Sequence, residues 1–355
     1  PTMALILYFG ESSAGSTSSH RAKALERLGH SVTIADPYRE FKSQLQSRLM
    51  GPIHFRTGYR LMNSNVLRWL KSYVETEQKP DVVWINSGEL FGPEALQLLK
   101  RLNCPIVLYN NDDPTGGRDG RRFDSLIKAL PHYDLCAVMR EQNVKEFYAK
   151  NAKKVIRVFM SYDEEVHRPF DNIADIPASF RSEVAFIGTW MRFEKRDEFL
   201  MKLINENIPV SIWGDRWEKS PLISKLRPYW RGNALRGRDY VAAIQGAKIC
   251  LGLLSKGNRD EHTQRSLETP YSGGLFCAER TSEHQQLYNE GAEAVFWSDA
   301  DECARVCKQL LNDNVLREKI RLAGMKKVRD IKAGNEDVCN TILNHESLQV
   351  LFKRQ

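Results

Sequence analysis

Residues 183–214 read EVAFIGTWMRFEKRDEFLMKLINENIPVSIWG, and this stretch decides the fold class. An apolar run (EVAFIGT), a segment with helical periodicity (RDEFLMKLINEN) and a second apolar run (VSIWG) follow one another. Such alternation of short strand-like runs with helical segments is typical of a parallel sheet with helices on its faces. The stretch therefore predicts a strand–helix–strand unit, with Gly188 and Gly214 at the carboxyl ends of the two strands.

The same alternation runs through both halves of the chain. Strands are predicted at ALILYFG, SVTIADP, DVVWINSG, PIVLYNND, DLCAVM and KVIRVFM in the first half, and at EVAFIGT, VSIWG, KICLGLL, LFCAE and AVFW in the second. Residues 161–182 are polar, contain proline and lack a period, so they interrupt the pattern. We predict an α/β protein with two doubly wound parallel-sheet domains. The predicted segments are an N-terminal domain over 1–165, a linker over 166–182, a C-terminal domain over 183–330, and a C-terminal helix over 331–355 that packs back on the N-terminal domain.

The composition fits a two-domain protein and limits the classes of partner that it can bind. The 355 residues suit two domains, and no apolar run approaches the ~18 residues of a membrane-spanning helix. Seven cysteines without a CxxC pair indicate reduced thiols and a cytoplasmic protein. The net charge of +7 is compatible with phosphate-bearing substrates or an anionic membrane surface. Nucleic acid is not expected as a partner, because the basic residues are spread along the chain without interleaved aromatic residues.

The first strand is followed by a glycine-containing loop, FGESSAGS, that leads into a helix. Gly10 and Gly15 bracket the loop, and Glu11 lies within it. Glycines permit close backbone approach, and a helix N-terminus attracts anions or hydroxyl groups. We predict a loop on the acceptor side of the site here, with an ordinary strand–helix turn as the alternative. The GxGxxG fingerprint of a dinucleotide site is missing, which disfavours a dehydrogenase.

Two adjacent carboxylates, Asp112 and Asp113, follow the predicted strand PIVLYNND. The carboxyl ends of strands are where doubly wound sheets bind ligands. A carboxylate in this position can take a proton from an acceptor hydroxyl as a general base. The alternative is an Asx turn before Pro114.

The loops of the second half contain candidates for a phosphate and nucleotide site. FIGTWMRFEKR places Arg192 and Arg196 behind the strand that ends at Gly188, where guanidinium groups can bind phosphate oxygens in pairs; solvated helix charges are the alternative. VSIWG places Trp213 beside Gly214, where an exposed ring or backbone edge can hold a nucleobase; core packing of Trp213 is the alternative and is slightly favoured.

The segment LLSKGNRDEHTQRSLETPYSGGLFCAE is the richest in polar candidates. Arg265 and Glu268 share one face of the predicted helix, since they are three residues apart. A carboxylate can accept two hydrogen bonds from a ribose diol, and basic neighbours can bind phosphates. The alternative is a salt bridge on the helix surface. The candidate residues of this segment are Lys256, Asp260, Arg265, Glu268, Gly273 and Gly274.

Together, FIGTW…R, DYVAAIQGAKICLGLL and TQRSLETPYSGG resemble the C-terminal domain of the CgeB-like glycosyltransferases of the group 1 (GT4-like) type. The resemblance covers residues 183–330 and is weaker over 3–160, where it rests on the glycine loop and on Asp112–Pro114. In that group two glutamates lie eight residues apart, and the second precedes a glycine by five. Glu268 and Gly273 match the second glutamate and the glycine, which implies that Glu268 holds the ribose of the donor. Asp260 replaces the first glutamate, so the implied contact with the donor sugar, and a retaining mechanism, stay open.

The resemblance implies the GT-B fold, in which two Rossmann-like domains face a central cleft. It further implies a nucleoside-diphosphate sugar as donor, a glycan or lipid-linked acceptor, and a role in surface polysaccharide or glycoconjugate synthesis. Neither a cofactor nor a metal is expected, since the histidines show no ligand spacing and no DxD motif follows a strand in the manner of GT-A enzymes. Peripheral contact with the inner face of a membrane is compatible with the basic charge. The alternatives are a nucleotide-sugar epimerase, which needs no acceptor, and a non-catalytic nucleotide- or glycan-binding module.

Overall fold

The structure, a computed structural model, describes residues 3–352, which form two compact units. The first unit runs up to Phe159 and also includes the C-terminal segment from Asn335, whereas the second comprises Met160–Gly334. The division therefore falls six residues before the predicted end of the N-terminal domain at 165, and the predicted linker 166–182 belongs to the second unit. Residues 1–2 and 353–355 of the predicted ranges lie outside the described residues.

The first unit has six strands, each separated from the next by helical segments. The strands are β1 (Leu5–Phe9), β2 (Ser31–Ala35), β3 (Val82–Asn86), β4 (Ile106–Tyr109), β5 (Leu135–Val138) and β6 (Val155–Arg157). The α-helices are α1 (Thr17–Arg27), α2 (Pro37–Glu40), α3 (Lys42–Leu45), α4 (Met50–Arg56), α5 (Asn63–Val74), α6 (Pro93–Leu99), α7 (Asp124–Ala129) and α8 (Glu141–Ala149).

The second unit repeats this plan. Its strands are β7 (Ser182–Ile187), β8 (Val210–Trp213), β9 (Trp230–Gly232), β10 (Ala247–Gly252), β11 (Phe276–Glu279) and β12 (Val295–Trp297). Its α-helices are α9 (Arg196–Asn205), α10 (Ile223–Leu226), α11 (Gly237–Gln245), α12 (Gln264–Tyr271), α13 (Ser282–Leu287), α14 (Ala300–Leu311) and α15 (Asn314–Asp330). Short 3-10 turns occur in both units at Arg60–Met62, Lys100–Leu102, Leu130–His132, Ile173–Asp175, Ala178–Phe180, Trp217–Lys219, Arg227–Tyr229 and Lys256–Asn258.

The C-terminal segment forms two helices, α16 (Asn335–Leu343) and α17 (Glu346–Phe352). Helix α16 packs against α1 of the first unit, with an ion pair between Arg27 and Glu336 at 3.4 Å. Val338, Cys339 and Ile342 on α16 are buried. The chain therefore ends in the unit in which it began, with two helices where the sequence predicted one.

Both sheets are parallel throughout. Their strand orders are β2-β1-β3-β4-β5-β6 and β12-β11-β10-β7-β8-β9. In each sheet, later strands are therefore added on both sides of the unit's first strand, which is β1 or β7. Strands β3, β4 and β5 are almost entirely buried apolar runs, as expected where helices cover both faces of a sheet. The predicted α/β fold with two doubly wound sheets is confirmed. In such sheets the strands present their following loops at one edge, where ligands bind.

No helix in the described part of the chain combines the length and apolar character that a membrane span requires.

Candidate functional site

The β7–α9 and β8–β9 connections meet backbone to backbone at the carboxyl edge of the second sheet. Gly188 donates its N–H to the carbonyl of Trp213 at 2.9 Å, and its own carbonyl accepts from the indole of Trp217 at 2.9 Å. Gly214 has a φ of +155°, and a Cβ atom there would lie 1.8 Å from the carbonyl oxygen of Gly188. The two predicted glycines therefore allow a close approach of two loops that no larger residue at 214 permits.

Arg196 is the first residue of α9 and is only 8% exposed. Its guanidinium donates to the carbonyl of Thr189 at 2.9 Å and to the carbonyl of Leu253 at 3.4 Å. Its buried Nε has no hydrogen-bond partner among the described residues. Burial, and then the positive charge of the nearby Arg265, lower the pKa of Arg196 to about 10. A buried cation held by neutral carbonyls is the electrostatic environment in which an added anion is strongly favoured.

The remaining predicted cations of this edge are exposed. Arg192 lies with its guanidinium 4.9 Å from the ring of Phe193, and Arg265 lies in the first turn of α12. Helix α12 begins with a capping box, in which the Thr263 and Ser266 side chains bond to each other's backbone. Lys256 donates its backbone N–H to a carboxylate oxygen of Glu194 at 3.0 Å. Arg192 and Lys256 therefore lie on two different loops, and Arg265 lies on α12.

Glu194 is a member of this edge that the sequence did not single out. Its carboxylate accepts hydrogen bonds from the Ser255 hydroxyl at 3.2 Å and from the backbone N–H groups of Lys256 and Gly257. It thereby joins the loop after β7 to the loop after β10. Its negative charge, like that of Asp260, acts on Arg196. Only its place after a strand–glycine turn marked it in the sequence.

Glu268 lies inside the second unit and not on the surface of α12. It is 7% exposed, and its Oε2 lies 3.6 Å from Nε2 of His167. It is also hydrogen-bonded to Tyr240, whose pKa is raised well above its usual value by burial and then by the Glu268 carboxylate. A surface salt bridge is therefore not its role. His167 is itself held by the backbone N–H of Asp163, which donates to Nδ1 at 2.8 Å, so the carboxylate has a fixed orientation.

Gly273 and Gly274 end α12 and lead into β11. Gly273 has a φ of +92°, and its N–H donates to the carbonyl of Pro270, while Gly274 donates to Thr269. A Cβ atom at Gly274 would lie 2.7 Å from Ile244. These glycines shape the chain reversal that positions α12.

Trp213 requires a correction. Its side chain is 3% exposed and packs in a core cluster with Ile187 and Tyr240, with the guanidinium of Arg231 4.7 Å from its ring. A ring buried in this way offers no face to a nucleobase, so we assign Trp213 to the core. The backbone edge at Gly214 is the part of the motif that remains as a candidate.

A cavity of about 250 Å³ opens at the same edge. Its wall includes Arg196, Lys256, Glu279, Trp297 and Asp299, which come from the carboxyl ends of β10, β11 and β12 and from α9 and α14. The buried indole N–H of Trp297 has no hydrogen-bond partner among the described residues. The cavity therefore combines cationic, carboxylate and donor groups beside Arg196.

The carboxyl edge of the first sheet contains the predicted carboxylates in two different environments. Asp113 is buried and accepts from the Asn143 amide at 2.8 Å. Asp112 is half-buried, and burial raises its pKa; Glu89 raises it further, whereas the cations Arg122 and Arg140 lower it. A carboxyl with a raised pKa is better matched to accepting and releasing a proton than an ordinary surface aspartate.

Glu89, also missed in the sequence, organises this edge. It is 5% exposed and follows β3, the neighbour of β4. The Tyr38 hydroxyl donates to one of its oxygens at 2.6 Å, and Nε of Arg122 donates to the other at 2.9 Å. Arg122 also pairs with Asp119 at 3.1 Å. Both carboxylate oxygens of Glu89 are thus hydrogen-bonded. Glu89, Arg122 and Asp119 together place charges of both signs near the Asp112 carboxyl.

The glycine loop after β1 lies at the same edge. Gly10 is buried, and a Cβ atom there would lie 2.7 Å from the ring of Tyr8. Glu11 and Gly15 are exposed, and Glu11 accepts from the Ser13 hydroxyl at 2.7 Å. The backbone N–H of Ser12 donates to Asp36 at 2.8 Å, which fixes the loop against the start of α2.

The structure also brings the thiol of Cys277 to those of Cys303 and Cys307, which lie one turn apart on α14. The sulfur atoms of Cys277, Cys303 and Cys307 lie within 4.8 Å of one another. All three residues are fully buried in the apolar core between β11 and α14. Because buried cysteine behaves as a small hydrophobic residue, we assign this group to core packing.

Known proteins resemble this chain in two ways: a family match lies within the second unit, and similar solved structures cover nearly the whole chain. Residues 195–333 match a family described as Glycosyl transferase-like. A search of curated proteins finds no match. Among solved structures, a sucrose-phosphate synthase from Thermosynechococcus elongatus is similar, with a TM-score of 0.72, 12% identity, and 99% of this chain and 100% of that chain covered.

Two further structures extend the comparison. HepE from Anabaena, in complex with UDP and glucose, has a TM-score of 0.64 at 12% identity, with 96% and 99% of the two chains covered. An α,α-trehalose-phosphate synthase (UDP-forming) from Burkholderia xenovorans has a TM-score of 0.62 at 14% identity, with 97% and 100% covered. These likenesses confirm the predicted fold of two Rossmann-like α/β domains. The predicted class, a glycosyltransferase, agrees with the family match.

Proposed function

We propose that the protein transfers a sugar from a nucleoside-diphosphate donor, bound at the carboxyl edge of the second sheet, to an acceptor hydroxyl bound by the first unit. The environment of Arg196 is the observation that carries this proposal. Its guanidinium is buried against neutral carbonyls, next to a second cation, with a pKa lowered to about 10. A diphosphate oxygen would supply the negative charge that these groups lack.

The leaving group of such a transfer is a nucleoside diphosphate, on which negative charge grows as the glycosidic bond breaks. Fixed cations around that charge lower the barrier, because they need little reorganisation during the reaction. In our proposal Arg196 and Arg265 bind the diphosphate, and Arg192 and Lys256 approach it from the exposed loops. Glu194 contributes indirectly by holding the backbone of residues 255–257.

Glu268 is proposed to bind the ribose of the donor. Its carboxylate is buried, oriented by His167 and Tyr240, and on the same helix as Arg265. Asp260, in the loop before α12, is proposed to contact the donor sugar. Gly214 is proposed to offer its backbone edge to the nucleobase.

Uridine diphosphate and its sugars are the first donors to test. One structural neighbour is described as a complex with UDP and glucose, and another as a complex with UDP-glucose. We extend that donor to this chain as a proposal, because the neighbours share only the fold at this level of identity.

Asp112 is proposed as the general base that receives the proton of the acceptor hydroxyl in an inverting reaction. Its carboxyl lies at the end of β4, with a pKa raised by burial and by Glu89. Asp113 is hydrogen-bonded to Asn143 and is proposed to position the loop.

The proposal has four further parts. We propose that the protein belongs to the CgeB-like subfamily, acts without a cofactor or metal, uses a glycan or lipid-linked acceptor, and is cytoplasmic.

A thermal-shift screen with nucleoside diphosphates and their sugars, with magnesium and with a chelator, tests donor binding. A ligand specific to the folded state raises the melting temperature according to its concentration over its Kd. We expect one diphosphate family to stabilise the protein equally in both conditions. Stabilisation by none would contradict the donor site. Conversion of the nucleotide sugar without any acceptor would identify an epimerase.

A further inference from the structure

Exposed apolar side chains are concentrated in one short segment of the first unit. Of the twelve large hydrophobic residues that are exposed among the described residues, five lie between positions 49 and 61. Leu49 is 81% exposed and Leu61 52% exposed. Leu49, Met50 and Ile53 stand on one face of the first turns of α4, because residues four apart on a helix are neighbours. We call residues 48–61 the α4 surface.

The α4 surface is strongly basic as well as apolar. Residues 48–61 contain three arginines and no acidic residue, and the longer stretch 37–62 contains five arginine and lysine residues and a single acidic residue, Glu40. The basic residues are all exposed: Arg39, Lys42, Arg48, Arg56 and Arg60. Exposed aliphatic side chains flanked by arginines are typical of segments that lie in the headgroup region of an anionic bilayer.

We propose that the α4 surface binds the headgroup region of a bilayer containing anionic lipids. The aliphatic side chains of Leu49, Met50 and Ile53 would enter the boundary with the acyl chains, and Arg48, Arg56 and Arg60 would pair with lipid phosphates. A nucleic acid fits this surface less well, because it gives no partner to exposed aliphatic groups. A second copy of the chain would bring like charges together.

The α4 surface is joined to the carboxylate edge of the first sheet. The ring of Phe55 lies 5.1 Å from the guanidinium of Arg122, which in turn holds Glu89. The Ser125 hydroxyl donates to the carbonyl of Gly58, and this bond ties the end of the segment to α7. If the proposed function holds, a bilayer seated here would present a lipid-linked acceptor beside Asp112.

Vesicle flotation tests the proposal without any substrate. The full chain is mixed with vesicles of phosphatidylcholine alone, or of phosphatidylcholine with phosphatidylglycerol, at low and high salt. We expect binding that requires the anionic lipid and weakens with salt. Replacing Arg48, Arg56 and Arg60 by glutamine should weaken binding roughly a hundredfold, since each arginine near the surface contributes about a fivefold factor. Replacing Leu49, Met50 and Ile53 by asparagine or glutamine should weaken it about tenfold or more.

The matched control is the double change Val315→Asn and Leu322→Asn on α15, which removes two exposed apolar side chains from the second unit. This variant should bind vesicles as the wild type does. Equal binding to neutral and anionic vesicles, or no effect of the α4 changes, would overturn the proposal. So would a dimer in light scattering that the α4 changes dissociate, or tight RNA binding that they abolish. Nucleotide affinity, measured on the same variants, should be unchanged, which separates this test from that of the donor site.

Discussion

The two sheets are both parallel, six-stranded and doubly wound, with different strand orders, but they have opposite chemistry at their carboxyl edges. At the first edge a buried carboxylate, Glu89, is bonded on both oxygens by Tyr38 and Arg122. At the second edge a buried guanidinium, Arg196, is bonded by two backbone carbonyls. The doubly wound sheet thus fixes where a site lies, whereas the loop residues decide what the site binds.

The two edges also differ in how their charge is balanced. The charge of Glu89 is compensated by an arginine within its own unit, and the same arginine lowers the pKa of Asp112. Arg196 stands beside another cation, and its pKa is lowered. The first edge is thus suited to a neutral hydroxyl and to proton transfer, and the second to an anion.

The largest effect should come from Asp112→Asn at the first edge. An amide cannot accept the acceptor proton as a carboxylate does, so turnover should fall about 10²- to 10⁴-fold. Donor affinity should be unchanged, because the change lies in the other unit. Steady-state rates and nucleotide titrations measure the two quantities. Asp119→Asn, which removes a neighbouring carboxylate, serves as the control, and full activity of the Asp112 variant would place the base elsewhere.

At the second edge, Arg196→Met should weaken binding of the nucleoside diphosphate by about a hundredfold, which is the loss expected for a buried charge-assisted contact. Calorimetric titration gives the affinity. Arg317→Met is the matched control. Arg317, on α15, also donates to a backbone carbonyl, that of Leu310 on α14. An equal loss in both variants would point to a general structural effect.

Glu268→Ala should weaken nucleotide binding about tenfold, since one hydrogen-bonded carboxylate to the ribose is lost. A titration with the diphosphate alone measures it. The variant Tyr240→Phe removes the internal partner of Glu268 and keeps the carboxylate, so it should bind more nearly as the wild type does. Unchanged affinity in Glu268→Ala would remove the ribose role.

The smallest effect concerns pH. In the folded protein, burial and the Glu89 carboxylate raise the pKa of Asp112 above its ordinary value of 3.8, and Arg122 opposes this rise. A base must be deprotonated, so activity should fall as the pH drops through that raised pKa. Arg122→Gln removes the opposing cation and should move the acidic limb of the rate profile to higher pH. A limb that stays in place would separate Asp112 from the pH dependence.

Much of the architecture is legible in the sequence, because apolar runs and helical periods alternate so regularly. Strand β9 was not predicted, since Trp230–Gly232 is only three residues long and follows Pro228. The boundary between the units was predicted near 165 from polarity alone, whereas residues 160–182 pack with the second unit. Polarity shows where a regular element ends but not which unit its flanking residues join.

The candidate site was predictable in position more than in detail. Arg196 and Asp112 stood out because they follow strands, and both lie at sheet edges. Glu89 and Glu194 were missed, since their partners are distant in sequence: Tyr38 is 51 residues from Glu89, and Lys256 is 62 residues from Glu194. For Trp213 the sequence left a nucleobase contact and core packing open, with core packing slightly favoured, and its burial places it in the core.

The most direct test of the contrast between the edges is a calorimetric titration of UDP into the wild type, Arg196→Met and Asp112→Asn. We expect UDP to bind the wild type, to bind Asp112→Asn equally well, and to bind Arg196→Met about a hundredfold more weakly. If UDP does not bind the wild type, the titration is repeated with the other nucleoside diphosphates. Binding of none of them, or an equal loss of affinity in both variants, would contradict a diphosphate site at the second edge.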